Sequence, residues 1–384
     1  MIVGILKEIK TEENRISMTP AGVEIMIQNG HTLLVEKDGG KGSGFEDEVY
    51  KNAGAEIVDT PQEIFEHAEM VMHVKEPLSA EYDLIREDQI VFTYLHLAAA
   101  EELTHALIKS KSICIAYETI QKADGSLPLL TPMSEVAGRM ATQQGAKYLE
   151  MAQGGHGILL GGVPGVDPGG VVVIGGGVVG INAAKMACGL GAKVYILDMN
   201  LDRLRYLSDV MPANCIPLMA SPATTRKLVK EADVVIGAVL VAGAKAPKLV
   251  TRDMLKTMQK GSVLVDVAID QGGNCAVTTP GAETLHAGVR VLGLWNIPGS
   301  MPQAVIDVLK TIQIQIKQRV LTFVRFRVLD RGVYETLELL TIQQLRQIVV
   351  ACLVSQLVVH VLQHTLRSTF HERQVVIIEQ GDLT

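Results

Sequence analysis

A glycine-rich turn between an apolar run and a helix is the feature that most restricts how this chain can fold. The run VVVI is followed by Gly175, Gly177 and Gly180, and the third glycine opens the helical segment GINAAKMACGLG. In such a unit the first glycine permits a tight turn, the second lets backbone approach a phosphate, and the third packs helix on strand. The spacing therefore predicts a dinucleotide whose pyrophosphate lies at the helix N-terminus, where N–H groups and the helix dipole favour anions.

An acidic residue follows at the position that this interpretation requires. The next apolar run, KVYIL, ends at Asp198, close to the offset of ~20 residues expected for the acid that binds the adenosine ribose hydroxyls. A carboxylate there repels a 2′-phosphate, so we predict NAD rather than NADP as the cofactor. The alternative is a glycine-rich turn followed by a solvated aspartate.

Short Val/Ile/Leu runs alternate with amphipathic segments on both sides of this turn. Runs of this kind are typical of strands buried on both faces, and Thr-Pro pairs before the amphipathic segments indicate capped helix starts. We predict an α/β protein with two Rossmann-like, doubly wound parallel-sheet domains and a cleft between them. A length of 384 residues agrees with two domains. A long helix, predicted over residues 134–151, would cross from one domain to the other.

Composition excludes several classes of partner. The net charge of −7, without a Lys/Arg block, argues against nucleic acid and anionic membranes. Five isolated cysteines, with no CxxC pair, indicate reduced thiols and no metal site. The first residues lack a signal peptide's apolar run, so we expect a cytoplasmic protein. The apolar run at 348–362 is shorter than the ~20 residues of a spanning helix, so we expect no membrane association.

Six motifs, in order along the chain, resemble those of the L-alanine dehydrogenase family: LHLAA, LPLLTPMSEVAGRMA, LLGGVPGV, VIGGGVVG, ADVVIGAVLV and GSVLVDVAIDQGG. The resemblance implies reversible, NAD-dependent oxidation of L-alanine to pyruvate and ammonia. It also implies a homohexamer, a substrate domain of residues 1–130 plus 305–384, and an NAD-binding domain of residues 131–304. The NAD-binding α subunit of proton-pumping transhydrogenases is the nearest relative of that family.

The same resemblance assigns roles to individual residues. Arg15 and Lys75 match the family's substrate-carboxylate ligands, and His96 and Asp270 match its catalytic pair. A guanidinium can bind a carboxylate with two hydrogen bonds, and an ammonium adds a point charge. The deamination needs a group that gains and loses a proton near neutral pH, and imidazole does so.

Each of these assignments has a purely structural alternative. Arg15 could be a surface arginine and Lys75 a solvated residue after a buried strand. His96, interpreted as lying inside an apolar strand, could be a core histidine. Asp270, interpreted as ending a strand, could cap the Gly-Gly turn that follows. The four residues together favour the functional interpretation, because ligands bind at strand ends in doubly wound sheets.

Further cofactor contacts follow from the resemblance. Ser134, which starts the predicted long helix, is either a cofactor contact or a helix cap. The other predicted contacts accompany the glycine turn or lie in loops at the adenine and nicotinamide ends: Val178, Val179, Ser221, Val239, Leu240 and Asn296.

The resemblance weakens after Gly273 and ends at about Gln303. A diverged tail, an altered reading frame and a designed replacement all remain open for the rest. Two alternative functions follow: a transhydrogenase-type NAD(H)-binding subunit, which needs no substrate-carboxylate ligands, and an NAD-binding protein inactivated by its tail. Retention of Arg15, Lys75 and His96 favours the dehydrogenase.

Overall fold

Two separate β-sheets organise the chain in the computed structural model. The structure describes residues 1–11, 13–241 and 244–293. The chain divides into two compact units, the first containing the residues up to Pro132 and the second beginning at Met133. Each unit contains one sheet, so the prediction of two α/β domains with doubly wound parallel sheets is confirmed.

The first unit contains six parallel strands in the order β3-β2-β1-β4-β5-β6. Its strands and helices alternate along the chain as β1 (Ile2–Ile5), α1 (Pro20–Gln28), β2 (Thr32–Glu36), α2 (Asp47–Asn52), β3 (Glu56–Val58), α3 (Pro61–His67), β4 (Met70–Met72), β5 (Ile90–Thr93), α4 (Glu101–Ser110) and β6 (Ile113–Ala116). The order changes direction at β1, so β1 and β4 are the neighbours between which a doubly wound sheet binds ligands.

Successive residues of these strands enter different cores, as expected for strands covered on both faces. Met70 and Met72 pack with Val3 and Ile5 in one hydrophobic cluster. Val71, between the two methionines, packs in a second cluster. The sheet is therefore buried on both sides, as its continuous apolar runs indicate.

Helix α5 (Thr131–Tyr148) follows the first sheet. It begins three residues before the predicted start, so Ser134 lies inside the helix and does not start it. The predicted end at residue 151 is also wrong, because Met151 begins a separate 3-10 turn.

The second unit contains a seven-stranded sheet in the order β12-β13-β11-β10-β7-β8-β9. All its pairings are parallel except that of β12 with β13. Its elements are β7 (Gly170–Ile174), α6 (Val178–Gly189), β8 (Lys193–Asp198), α7 (Leu201–Val210), β9 (Cys215–Met219), α8 (Pro222–Glu231), β10 (Val234–Gly237), α9 (Arg252–Thr257), β11 (Val263–Asp266), β12 (Ala282–His286) and β13 (Val289–Gly293). The predicted βα unit is β7, the glycine turn and α6.

Candidate active site and dinucleotide-binding turn

The three glycines of the turn between β7 and α6 experience three different surroundings. Gly175 has φ +106°, and a Cβ there would lie 2.8 Å from the carbonyl oxygen of Ala238. A Cβ on Gly180 would lie 1.8 Å from the carbonyl oxygen of Gly175. A Cβ on Gly177 would meet no atom of the described residues within 4 Å. Gly175 and Gly180 are therefore needed by the fold itself, whereas the part of the chain that the structure describes leaves space in front of Gly177.

The N-terminus of α6 is suited to a phosphate group. Gly177 is the N-cap residue, and no side chain of residues 1–11, 13–241 or 244–293 caps the helix. The first turn, which includes Val178 and Val179, contains no acidic residue that would repel an anion. Uncapped N–H groups beside open space provide the donors and the positive dipole end that a pyrophosphate requires. The residues present thus fit a dinucleotide.

Asp198 lies at the C-terminal end of β8 and is bonded to the same turn. Its Oδ2 accepts a hydrogen bond of 2.8 Å from the Gly176 N–H, and its Oδ1 accepts one of 2.8 Å from the Asn200 N–H. On the other side of the turn, Arg203 Nε donates to the Gly176 carbonyl oxygen at 2.5 Å. The carboxylate predicted to bind ribose therefore also holds the glycine turn in place.

Two of the remaining predicted cofactor residues, Ser221 and Val239, form hydrogen bonds within the protein. Ser221 caps α8, accepting a hydrogen bond of 3.0 Å from the Thr224 N–H. The Val239 N–H and carbonyl are both bonded to the Asn274 side chain, each at 2.9 Å. Leu240 is 36% exposed beside that residue. Asn296 lies outside the described residues.

In the first unit, Arg15 is a buried residue, not a surface one. It lies between β1 and α1 and is 4% exposed. Glu13 binds its guanidinium with two oxygens, at 2.8 Å to Nε and 2.6 Å to Nη2. The bidentate ion pair fixes the plane of the guanidinium. The surface alternative for Arg15 is therefore wrong.

Lys75 is also buried, at 4% exposure, three residues after β4. The Glu8 carboxylate lies 3.3 and 3.4 Å from the Lys75 backbone nitrogen. On its other side, the Thr93 hydroxyl donates a 2.7 Å hydrogen bond to the Lys75 carbonyl. The solvated alternative for Lys75 is wrong as well.

His96 does not lie inside a strand, which corrects the sequence interpretation. Strand β5 ends at Thr93, and His96 lies beyond it with a left-handed φ of +50°. The cause is the buried Glu118 carboxylate, which accepts hydrogen bonds from the Leu95 and His96 N–H groups at 3.1 and 2.7 Å. These bonds replace a strand ladder, and the His96 ring stacks on Tyr94 with 6.0 Å between ring centroids. The imidazole Nδ1 is buried and bonds to no other residue that the structure describes.

Asp270 does not end a strand, which is a second correction. Strand β11 ends at Asp266, and Asp270 lies in the 3-10 turn that follows. Asp266 is fully buried and accepts hydrogen bonds of 2.9 Å from the Asn274 and Cys275 N–H groups. These bonds, together with one from Thr278, turn the chain after the strand. The aspartate at the strand end is therefore structural, and Asp270 is half-buried on the next turn.

The topology brings Arg15, Lys75 and His96 to one edge of the first sheet. They follow β1, β4 and β5, which are adjacent in the sheet, and the C-terminal ends of parallel strands meet at one edge. The buried side chains of Glu8 and Glu118, which are not among the predicted site residues, bond the backbone at this edge. Each has a weak sequence signal, a glutamate shortly after an apolar run.

No group of three or more His, Cys, Asp or Glu side chains suited to a metal ion occurs among residues 1–11, 13–241 and 244–293. Over the same residues, no helix combines the length and the apolar character needed to cross a bilayer.

Both units match models of known protein families. Residues 4–137 match the family model described as "Alanine dehydrogenase/PNT, N-terminal domain", and residues 141–321 match "Alanine dehydrogenase/PNT, C-terminal domain". The second match extends beyond Gln303, where the motif resemblance ends. Residues after 321 lie outside both matches.

Individual relatives agree with these matches. An alanine dehydrogenase from Methanococcus maripaludis is 55% identical over 306 residues, which are 78% of this chain and 82% of the relative. A solved structure of an L-alanine dehydrogenase is 45% identical, with a TM-score of 0.77, covering 87% of this chain and 91% of its own. A transhydrogenase from Sinorhizobium meliloti shares the fold at 24% identity and a TM-score of 0.70, covering 85% of this chain and 93% of its own.

Proposed function

This chain belongs to the alanine dehydrogenase/PNT family, and on that premise we propose that it catalyses the NAD-dependent oxidative deamination of L-alanine to pyruvate and ammonia. The observation that carries this proposal is the 55% identity to an alanine dehydrogenase over 82% of the relative's length. The buried cationic residues at one sheet edge of the first unit support it, because a dinucleotide-binding module alone has no need of them.

Arg15 and Lys75 bind the carboxylate of alanine. Both are buried, so their charges act in surroundings of low dielectric constant and attract a carboxylate more strongly than in water. The Glu13 ion pair fixes the guanidinium plane and the bonds at Glu8 and Thr93 fix the Lys75 backbone. Positioning of this kind fixes the orientation of the Cα–H bond of the substrate.

His96 moves the protons of the reaction. It takes a proton from the water that attacks the iminium carbon and returns one to the nitrogen that leaves as ammonia. Its place beyond β5 supports this role, because the C-terminal end of β5 lies at the same sheet edge as the segments that carry Arg15 and Lys75. Asp270 orients the water and stabilises the positive charge on the nitrogen.

The second unit holds the cofactor through Gly175, Gly177, Gly180 and the first turn of α6, with Asp198 at the ribose. NAD, when bound, accepts the hydride of the alanine α-carbon, so that alanine, NAD and water give pyruvate, ammonium, NADH and a proton. Ser134, Ser221, Val239, Leu240 and Asn296 are proposed as further contacts. Hexamer formation remains a prediction from the resemblance, and a cytoplasmic location remains a prediction from the sequence.

The test is NADH absorbance with purified protein, NAD and L-alanine at alkaline pH. Positioned acid–base catalysis contributes ~100- to 10,000-fold, so we expect His96→Ala to lose at least about 100-fold in rate. Asp270→Ala should also be impaired. His105→Ala is the matched control, since His105 is an exposed histidine on α4 of the same unit and should keep the wild-type rate.

Binding of NAD, followed by fluorescence, separates the possible failures. A wild-type protein that binds NAD but yields no NADH with alanine would contradict the dehydrogenase and favour the inactive NAD-binding alternative. Hydride transfer to NADP on a membrane partner would instead support the transhydrogenase-type subunit. A wild-type rate in His96→Ala would contradict the proposed role of His96 but not the proposed dehydrogenase activity.

A further inference from the structure

A buried charged cluster that the reaction does not use directly lies beside Lys75. We propose that Glu8, His73 and Glu81 form a positioning array that fixes the backbone of Lys75. The inference rests on the proposed function, in which Lys75 binds the substrate carboxylate.

The three side chains form a continuous chain of contacts. His73 Nδ1 lies 3.3 Å from Glu8 Oε1, and His73 Nε2 lies 3.0 Å from Glu81 Oε1. The array joins three segments: the one after β1, the one after β4 and the turn at residues 78–81. The last of these is closed by the Leu78 N–H, which donates to Glu81 at 2.8 Å.

The array is charged although it is buried. The side chains of His73, Glu8 and Glu81 are 2%, 4% and 5% exposed. Burial opposes the imidazolium form, but the two glutamates outweigh it and raise the pKa of His73 to about 10. At neutral pH one imidazolium thus lies between two carboxylates, which leaves one net negative charge. Buried charges are tolerated when they are paired in this way, and removal of one partner is costly.

Glu8 links the array to Lys75. The Glu8 carboxylate bonds the Val74 N–H at 2.5 Å and lies 3.3 Å from the Lys75 nitrogen, so it holds the two peptide groups between His73 and Lys75. The array therefore fixes the backbone of Lys75 before the substrate arrives.

The primary test measures pyruvate binding to NADH-loaded protein by nicotinamide fluorescence, with ammonia omitted. Glu8→Gln keeps the shape of the side chain and removes its charge. Loss of a charge-assisted hydrogen bond is expected to raise the Kd for pyruvate about tenfold. The Kd for NADH should not change, because the dinucleotide residues belong to the other unit. In turnover, KM for pyruvate should rise while kcat changes little, as for lost ground-state binding.

Glu69→Gln is the matched control. Glu69 is also a glutamate that bonds a backbone N–H next to β1 and β4, that of Ile2 at 2.7 Å, but it lies at their N-terminal ends and is exposed. It should leave the Kd for pyruvate unchanged. An equal effect of both variants would mean general loosening of the sheet and would overturn the proposal.

A double-mutant cycle identifies the route of the effect. If Glu8 acts through Lys75, Glu8→Gln should add little to the loss already present in Lys75→Met, whereas independent effects would multiply. His73→Gln replaces Glu8→Gln in the cycle if the latter does not fold. Multiplying effects would overturn the positioning role. Alanine oxidation by the same wild-type preparation separates this failure from failure of the proposed function, because a fully active wild type would leave only the array in question.

The pH dependence gives a signature that a merely structural role would not produce. Among the described residues, Glu8 after β1 and Glu81 in the turn after β4 contact His73, and Glu36 at the end of β2 interacts with it electrostatically. Deprotonation of His73 removes its ion pairs with Glu8 and Glu81 and loosens the hold of Glu8 on the Lys75 backbone, so pyruvate binding should weaken near pH 10. In Glu8→Gln the pKa of His73 falls, and the weakening should begin at lower pH. Identical pH profiles in the two proteins would overturn the proposal.

Discussion

One buried carboxylate determines how the chain leaves the sheet at His96. The left-handed conformation of His96 costs a non-glycine residue roughly 1–2 kcal/mol. Glu118 offsets that cost by accepting hydrogen bonds from two consecutive N–H groups, of Leu95 and His96, from a position 22 residues further along the chain. The direction of the imidazole is therefore set by a residue that need not touch the substrate.

We expect Glu118→Gln to lower kcat for alanine oxidation about tenfold, because the amide offers one acceptor oxygen, without charge, where the carboxylate offers two. Binding of NAD should stay at the wild-type level. Steady-state kinetics with alanine and NAD varied separately would measure both effects. Glu102→Gln, which changes an exposed glutamate in the first turn of α4, is the control. An unchanged kcat in Glu118→Gln would show that His96 does not depend on this support.

At the scale of elements, the turn between β7 and α6 contains one glycine that folding requires and another that we expect only cofactor binding to require. Gly180→Ala should unfold or strongly destabilise the second unit, since its Cβ would overlap the Gly175 carbonyl at 1.8 Å. Gly177→Ala should fold normally, because its Cβ meets no described atom within 4 Å and its φ of −67° suits alanine.

The Cβ of Gly177→Ala would occupy the space proposed for the pyrophosphate, so its NAD affinity should fall by at least about tenfold while its Tm without cofactor stays near that of the wild type. Thermal unfolding and fluorescence titration of both variants would measure this contrast. Normal NAD binding by Gly177→Ala would contradict the placement of the pyrophosphate in front of that glycine.

Elements with a local cause could be predicted from the sequence. The Thr19-Pro20 and Thr60-Pro61 pairs do begin helices, with each threonine hydroxyl accepting a backbone N–H at 3.4 Å. Continuous apolar runs such as VVVI are strands, because a strand that is buried on both faces consists of consecutive apolar residues.

Features with distant causes could not be predicted in this way. The apolar neighbours of His96 and Asp270 predict strands at both residues, but hydrogen bonds to later parts of the chain end those strands. The Leu95 N–H donates to Glu118, 23 residues further along, and Asp266, the last residue of β11, accepts from the Asn274 N–H. The β12–β13 hairpin was also missed. Its turn consists of Ala287 and Gly288, both with positive φ, and alanine is a weak signal for that conformation.

At the scale of the whole molecule, the charge on His73 makes stability depend on pH. His73 of the first unit has a folded pKa of about 10 against an ordinary value of 6.5, so the folded state binds this proton more tightly than the unfolded state does. Its stabilisation is complete below pH 6.5 and is lost as the pH rises through about 10.

We therefore expect the Tm of the wild type to fall more steeply between pH 7 and pH 10.5 than that of His73→Gln, as measured by calorimetry. Buried Tyr94 and Tyr117, whose pKa values are raised by burial, destabilise both proteins in the same direction at high pH and cancel in the comparison. Parallel Tm curves would mean that His73 is not charged in the folded state.

The two bonds of Asp198 limit how cofactor preference can change. The carboxylate that would exclude a 2′-phosphate is also the acceptor for the Gly176 N–H, and Arg203 holds the carbonyl of the same residue. A substitution made to admit NADP would leave that N–H without its acceptor and loosen the turn on which the pyrophosphate depends. A change of cofactor in this scaffold thus requires at least two coordinated substitutions, one to accept the extra phosphate and one to restore the turn.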